Sequence, residues 1–412
     1  MKKVSFAIAI ALFLVFSIPS NAQEFLYGDP LPDAPELSAR GDYDVGVRTI
    51  NLIHKNQVDI LNFKDGKDPV YDRPLTIEVW YPATLSAGTE ASVTYEEVMG
   101  TRGDSLRPLI PFTFKGRALR DAAAITKYGA FPLVVVSHGY VGSRYLMTYL
   151  TENLASKGYV VAAIDHTDST FKDANAFQST LLNRALDIRF VLDEMEALGG
   201  ASSKDPLKGL VNAENTAIIG YSMGGFGVLN VAGAGYSDAF AGFTVGMTGG
   251  SRAIGIHSAS NPEYQKQRDP RIKAVVAFAP WGMERGVWDA EGLKGLKTPT
   301  LFIAGSQDDI SGYEKGIKAI YTGAVNADRY LLTYMGARHN VAPNPPPAEA
   351  LQPGLHIDEY YRYADSTWDQ RKMNNVNQHF ITAFLGVQLK QKEFGKYLDI
   401  QENSNEKNWE GF

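Results

Sequence analysis

The segment Gly220-Tyr221-Ser222-Met223-Gly224-Gly225 stands directly after the apolar run Thr216-Ala217-Ile218-Ile219, and helical spacing follows from about Met223 to Ala234. A chain can pass from strand to helix around one exposed serine only if the flanking positions carry almost no side chain, a need that Gly220 and Gly224 meet. The pattern predicts a nucleophile elbow in the middle of a parallel sheet. The helix after it would aim its first N–H groups and the positive end of its dipole at an oxyanion forming beside Ser222. Such a motif recurs by chance in a chain with 39 glycines, so it carries weight only with partners in the right order downstream.

The N-terminus reads as an export signal. Lys2 and Lys3 precede an apolar stretch from Val4 to Ile18, and Ser20-Asn21-Ala22 offers small residues for cleavage after Ala22. About 15 apolar residues is short of the ~20 a membrane span needs, so the expectation is a signal peptide over 1–22, a periplasmic or secreted product, and no stable membrane insertion. The formal net charge of −6 and the lack of any basic run argue against nucleic acid as a partner. With no cysteine, the chain excludes disulfides, thiolate metal sites and a thiol nucleophile.

Residues 23–44 are predicted to form an extended arm, rich in Pro, Asp and Gly. Val45–Ile53 and Leu75–Tyr81 alternate at period two and predict an antiparallel entry to a sheet, and an irregular insertion is expected over 94–128. From Leu133 onward strands alternate with helices: strands at Leu133–Ser137, Tyr159–Ile164, Ile272–Phe278, Thr300–Ala304 and Arg329–Tyr334, and helices at Tyr145–Lys157, Phe177–Leu198 and Gln370–Leu385. This predicts an α/β fold, a mostly parallel twisted sheet of about eight strands with helices on both faces, in one domain over 45–390. A second insertion falls at 235–271 and a tail at 391–412.

Every candidate chemical residue then lies at the carboxyl end of a strand, where such sheets bind ligands. The strand at Thr300 ends in Gly305-Ser306-Gln307-Asp308-Asp309, and the strand at Arg329 ends in Gly336-Ala337-Arg338-His339. Acid then histidine is the order a serine on such an elbow requires. His339 is the predicted base; His379, in the last helix, and His356, after a Pro-rich loop, are predicted to pack or to lie at the surface. The spacing leaves Asp308 and Asp309 as alternative acids. The loop Ser137-His138-Gly139-Tyr140 is the expected second half of an oxyanion hole, with the N–H of Tyr140 joining that of Met223, and His138 bracing the loop rather than reacting. Trp281, in Phe278-Ala279-Pro280-Trp281-Gly282, is a candidate wall of the substrate pocket, with core packing as the alternative. Asp165-His166-Thr167-Asp168 is expected to form a loop network, not a metal site; no metal and no cofactor are predicted.

These residues resemble the secreted α/β-hydrolase esterases grouped around platelet-activating factor acetylhydrolase, dienelactone-hydrolase-like proteins and cutinase-type polyester hydrolases, over roughly Phe131 to His339. Ser137-His138-Gly139 and Leu154-Ala155-Ser156-Lys157-Gly158-Tyr159 look like the first; Tyr221-Ser222-Met223-Gly224-Gly225, Ala279-Pro280-Trp281 and Pro299-Thr300-Leu301 look like the last. The resemblance implies Asp308 as the acid, since Asp309-Ile310 matches the pair of residues after the acid in the polyester hydrolases, and implies Tyr140 and Met223 as oxyanion donors with His339 as base. The acetylhydrolase acid position corresponds to Ala279 or Pro280 here, and the cysteine of true dienelactone hydrolases has no counterpart. The stretch Gly235 to Arg271 is longer than compact polyester hydrolases allow, which would place it over the cleft to exclude large polymers. The expected activity is hydrolysis of a small-molecule or polymeric carboxylic ester by an exported serine esterase, of acetylhydrolase, lipase or polyester-hydrolase type; a serine peptidase and a non-catalytic binding protein are the alternatives.

Overall fold

Period-two burial organises the first part of the chain, as the computed structural model shows for residues 25–399. The expected signal peptide, and the tail from residue 400 on, lie outside the described residues. Strand β1 (Asp44–Val58) pairs antiparallel with β2 (Val70–Thr84), from Asp44 opposite Ala83 to Val58 opposite Val70, with an irregularity between His54 and Gln57. The expected irregular insertion is instead ordered around a separate hairpin, β3 (Val93–Met99) and β4 (Ile110–Gly116), paired Val93 to Gly116. The physical reason is alternation: Val93, Tyr95, Glu97 and Met99 are all buried, with Thr94 and Glu96 facing out.

The parallel part follows with β5 (Phe131–Ser137), α1 (Thr148–Ser156), β6 (Val160–Asp165), α2 (Phe177–Gly199), β7 (Val211–Tyr221), α3 (Met223–Val231), α4 (Asp238–Met247), β8 (Ile272–Phe278), β9 (Thr300–Gly305), β10 (Arg329–Tyr334) and α5 (Gln370–Lys390). The sheet order is β10-β9-β8-β7-β5-β6-β2-β1, with two-residue strands at Leu119–Arg120 and Ala123–Ala124 added beside β1 and β2. β5 through β10 run parallel; β2 alone opposes them, and β1, antiparallel to β2, runs in their direction. The central strands read as continuous apolar runs because both faces are covered: Leu133, Val134 and Val135 of β5 and Ala217, Ile218 and Ile219 of β7 are fully buried. Each large side chain of this kind contributes roughly 1.5–3 kcal/mol. Helices α2 and α3 pack together against β7, while α1 and α5 pack together, α1 on β2 and β6 and α5 on β8 and β7.

The arm is not free. Leu31 N–H donates to Asn375 Oδ1 and Leu37 N–H to His379 Nδ1, so residues 25–40 lie along α5. His379 is buried there as an acceptor, and His356 sits exposed beside Asp358. Among the described residues no helix is long and apolar enough to cross a membrane.

Candidate functional site

The turn from β7 into α3 shows why the two glycines stand where they do. Ser222 adopts φ 54° and ψ −111°, a conformation that costs a non-glycine residue about 1–3 kcal/mol and persists only when the surroundings over-determine it. They do: Ser222 N–H donates to Phe278 O at 2.9 Å, and Ser222 O accepts from Phe226 N–H at 2.9 Å and Trp281 N–H at 3.2 Å. A Cβ on Gly220 would lie 2.1 Å from Gly224 O, and one on Gly224 would lie 1.9 Å from Ser137 O. Any side chain at either position would push β5, the turn and α3 apart.

The loops after β9 and β10 bring Asp308 and His339 to that serine. His339 Nε2 lies 2.9 Å from Ser222 Oγ, and His339 Nδ1 lies 2.8 Å from Asp308 Oδ2. A carboxylate can only accept, so Nδ1 carries the ring proton and Nε2 is left to accept from the serine hydroxyl. All three residues are buried, at 6–7% exposure. Burial alone would raise the Asp308 carboxyl, but the bond from His339 and the N–H groups of Ser311 and Ile310 on Oδ1 hold it below its ordinary value. The anion is therefore kept ionised where it faces the imidazole. Asp309 turns outward and pairs with Arg338.

The loop after β5 lies across the elbow. Tyr140 lines the same cavity as Ser222, and Met223 opens α3, where its N–H has no intrahelical carbonyl to bind. The Tyr140 ring is half exposed, donates its hydroxyl to Asn175 O at 2.6 Å, and meets Phe177 edge-on. His138 is buried, with Nδ1 2.6 Å from Gly139 O and Nε2 accepting from His166 N–H at 3.2 Å. Since a carbonyl accepts, Nδ1–H donates to it, and one neutral tautomer satisfies both contacts. Burial, with Arg184 and His166 nearby, pushes the His138 imidazole well below its usual value, which keeps it neutral.

Beneath this loop the Asp165–Asp168 segment forms a buried network. His166 bridges Asp187 Oδ2 and Ser137 Oγ at 2.9 Å each, Arg73 grips Asp187 through two nitrogens and Asp168 through a third, and Arg184 donates to His138 O at 2.7 Å. Burial lowers His166 to about 3, so it too is neutral. Among the described residues no group of three or more His, Cys, Asp or Glu is arranged to hold a metal ion.

Ser222 and His339 open into a cavity of about 640 Å3. Its walls correct one expectation: no residue of 235–271 lines it. That insertion is drawn instead onto α2 and α3, where Tyr236 OH donates to Leu181 O, His257 Nε2–H to Leu182 O, and Tyr264 OH to Asn230 O. The cavity is walled by the β3–β4 connection and by residues 357–366, between His339 and α5, a segment to which no sequence pattern assigns a role. Asn340 ties the second wall to the elbow, accepting from Tyr221 OH at 2.6 Å and donating to Tyr361 O. Its position next to His339 was the available signal. Trp281 does not line this cavity; its ring packs edge-on against Phe177 at 5.1 Å and Phe226 at 6.2 Å, continuing the aromatic row that begins at Tyr140.

Residues 121–244 match a family described as PET hydrolase-like. The chain is 28% identical over 218 residues to cutinase est2 of Thermobifida alba, covering 53% of this chain and 54% of that protein. It is 26% identical over 215 residues to the bis(hydroxyethyl) terephthalate hydrolase of Streptomyces coelicolor, covering 52% of each. The matched region thus spans about half the length of these curated relatives. A solved ferulic acid esterase from Streptomyces cinnamoneus superposes with a TM-score of 0.55 over 90% of this chain and 97% of that one, at 20% identity, a likeness of fold. The fold is that of the α/β-hydrolases, and the matched sequence resembles the cutinase-type polyester hydrolases.

Proposed function

We propose that this chain, an α/β-hydrolase-fold protein resembling cutinase-type esterases, is an exported serine hydrolase that cleaves carboxylic esters through an acyl-enzyme. The observation that carries the reading is the hydrogen-bonded line Asp308–His339–Ser222, 2.8 and 2.9 Å long, ending on a strained serine at a cavity. His339 Nε2 takes the hydroxyl proton as Ser222 Oγ attacks the ester carbon. The oxyanion forms against the amides of Tyr140 and Met223, at the positive end of α3. The new imidazolium, stabilised by Asp308, returns the proton to the departing alcohol, and the ester C–O bond breaks. Water, deprotonated by His339, then attacks the acyl-serine by the reverse path. No step requires a cofactor.

The test is a series of p-nitrophenyl acetate, butyrate, octanoate and palmitate, with Ser222→Ala beside the wild type. Replacement should lower kcat by at least 10³-fold and abolish labelling by a fluorophosphonate probe, while the melting temperature stays within a few degrees. Turnover that survived in Ser222→Ala, or labelling at another residue, would refute the assignment. A chain length beyond which the rate collapses reports the acyl depth of the cavity. Export is proposed on residues 1–22 and is checked by N-terminal sequencing of the extracytoplasmic protein, which should begin at Gln23.

A further inference from the structure

Seven of the 21 residues that line the Ser222 cavity are Asp or Arg, and the arrangement of those charges narrows the substrate. Arg107 donates Nε to Glu359, a fully buried carboxylate; its side chain remains 26% exposed and, among the described residues, its two terminal nitrogens have no acceptor. Arg362, beside it, is committed: its terminal nitrogens donate to Gly100 O at 3.2 Å and Thr101 Oγ1 at 2.8 Å. Asp104 and Asp358 line the same cavity; Asp104 Oδ1 accepts from Leu106 N–H at 2.9 Å, and Asp358, 60% exposed, has Oδ2 3.3 Å from His356 Nδ1, so each carboxylate keeps a second oxygen for a ligand. Farther round the lining Arg338 is paired with Asp309, and Asp365 accepts from the N–H groups of Arg338, Thr367 and Trp368.

Three classes of ester can be compared with this wall. A polyester or a long acyl chain would cover charged groups with carbon and strip their water without replacing it, which is unfavourable. An anionic ester would meet more lining carboxylates than guanidiniums, with Glu359 behind one of the latter. A neutral polyhydroxylated ligand fits both demands, because each hydroxyl donates to a carboxylate and accepts from a guanidinium in the same contact. Tyr140 and Tyr361, each 39% exposed in the same cavity, add ring faces against which the C–H face of a sugar can lie.

We infer that the site takes an acylated sugar, an ester whose alcohol is a neutral carbohydrate hydroxyl, with Arg107 and the carboxylates of Asp104 and Asp358 holding its free hydroxyls. This rests on the proposed role of Ser222. The acyl group passes to Ser222 Oγ, the bond from acyl carbon to sugar oxygen breaks, and His339 delivers the serine proton to that sugar oxygen. The charged wall is thereby a specificity element built from segments outside the β5-to-α3 core.

The experiment measures acetate release from O-acetylated xylotriose and from n-butyl acetate, two unactivated acetates that differ in the hydroxyl content of the alcohol. Hydrolysis of p-nitrophenyl acetate is followed in parallel. The wild type should show a kcat/KM on acetylated xylotriose at least 100-fold above that on n-butyl acetate. Arg107→Ala should raise KM for acetylated xylotriose about ten-fold more than KM for p-nitrophenyl acetate. Because Arg107→Ala leaves Glu359 buried beside fewer cations, Arg107→Lys, which keeps a charge but loses the planar fork, is run with it; it should show the same skew in KM with a near-native melting temperature. Equal efficiency on the two unactivated acetates, or an equal effect of both variants on all substrates, would overturn the inference while leaving the hydrolase reading intact. A lack of Ser222-dependent hydrolysis of p-nitrophenyl acetate would remove both.

Discussion

His138 is the residue whose position says most about how the oxyanion site is held. The amide proposed to bind the oxyanion is Tyr140 N–H, and the carbonyl of that same peptide unit, Gly139 O, accepts from His138 Nδ1–H at 2.6 Å. A hydrogen bond to a carbonyl polarises the whole amide, so the N–H at its other end becomes a stronger donor. His138→Leu removes that bond and leaves the buried His166 N–H without its acceptor. The expected result is a fall in kcat of about ten-fold with little change in KM, smaller than the 10²–10³ for deleting a direct oxyanion donor, together with a destabilisation of about 1–3 kcal/mol from the orphaned amide. Steady-state kinetics and thermal melts on the same variant check both. The neighbouring acids give a second contrast. Asp308 holds His339 Nδ1, whereas Asp309 pairs with Arg338 at the surface. Asp308→Asn should therefore lower kcat by about 10³–10⁴-fold and Asp309→Asn by less than ten-fold, measured on p-nitrophenyl acetate. The sequence alone leaves this choice open, because adjacent loop residues point in opposite directions for reasons that lie in their partners.

At the scale of elements, legibility followed apolar runs and periodic stripes. β8, a buried central strand, and β10, a half-buried edge strand, both occupy the predicted residues, and α2 differs by one residue at its end, because runs and stripes of this length leave few alternative boundaries. The order strand, elbow, acid, histidine was readable for the same reason: each member sits at most one short loop beyond a strand of this kind. What failed was local. β3 alternates well, but Glu97 stands at a buried position and breaks the apolar pattern. α4 carries two glycines in ten residues, which lowers helix propensity, yet Ser237 caps it by accepting from Phe240 N–H at 3.1 Å and Phe240 buries against Tyr236. The cavity wall at 357–366 is short, polar helix and turn fixed by side-chain contacts such as Asn340 to Tyr361, and such contacts leave no periodic trace. The cavity wall was thus the part least visible in sequence, while the residues of the hydrogen-bonded line Asp308–His339–Ser222 were the most visible.

For the whole molecule, the pH dependence of stability has an identifiable contributor where the β3–β4 hairpin meets the sheet. Glu97 Oε1 accepts from Val98 N–H; among the described residues Oε2 makes no hydrogen bond within 3.5 Å, and the Ser143 hydroxyl and the charge of Lys172 nearby only partly favour the anion. Burial first, then the charge of Asp165, raises the Glu97 carboxyl from 4.5 to about 7. Between those two pH values the folded chain holds a proton that the unfolded chain has released. More protons bound in the native state means that the unfolding free energy falls as pH rises through this window, and the loss remains above it. Other groups act in the opposite sense, Asp308 and Asp369 among them, since their carboxyls are held below their ordinary values and their contributions disappear in acid. The total curve therefore mixes signs, but the difference between Glu97→Gln and wild type isolates one group. At pH 4 to 5 the two proteins should melt within about a degree of each other; above pH 7 the variant should melt a few degrees higher, in line with a cost on the order of 1–3 kcal/mol for ionising a buried carboxyl. Circular dichroism melts from pH 4 to 8.5 supply the curve, and a difference that stays flat across pH 5 to 7 would mean that Glu97 is ionised in the folded protein and satisfied by a route other than its protein neighbours.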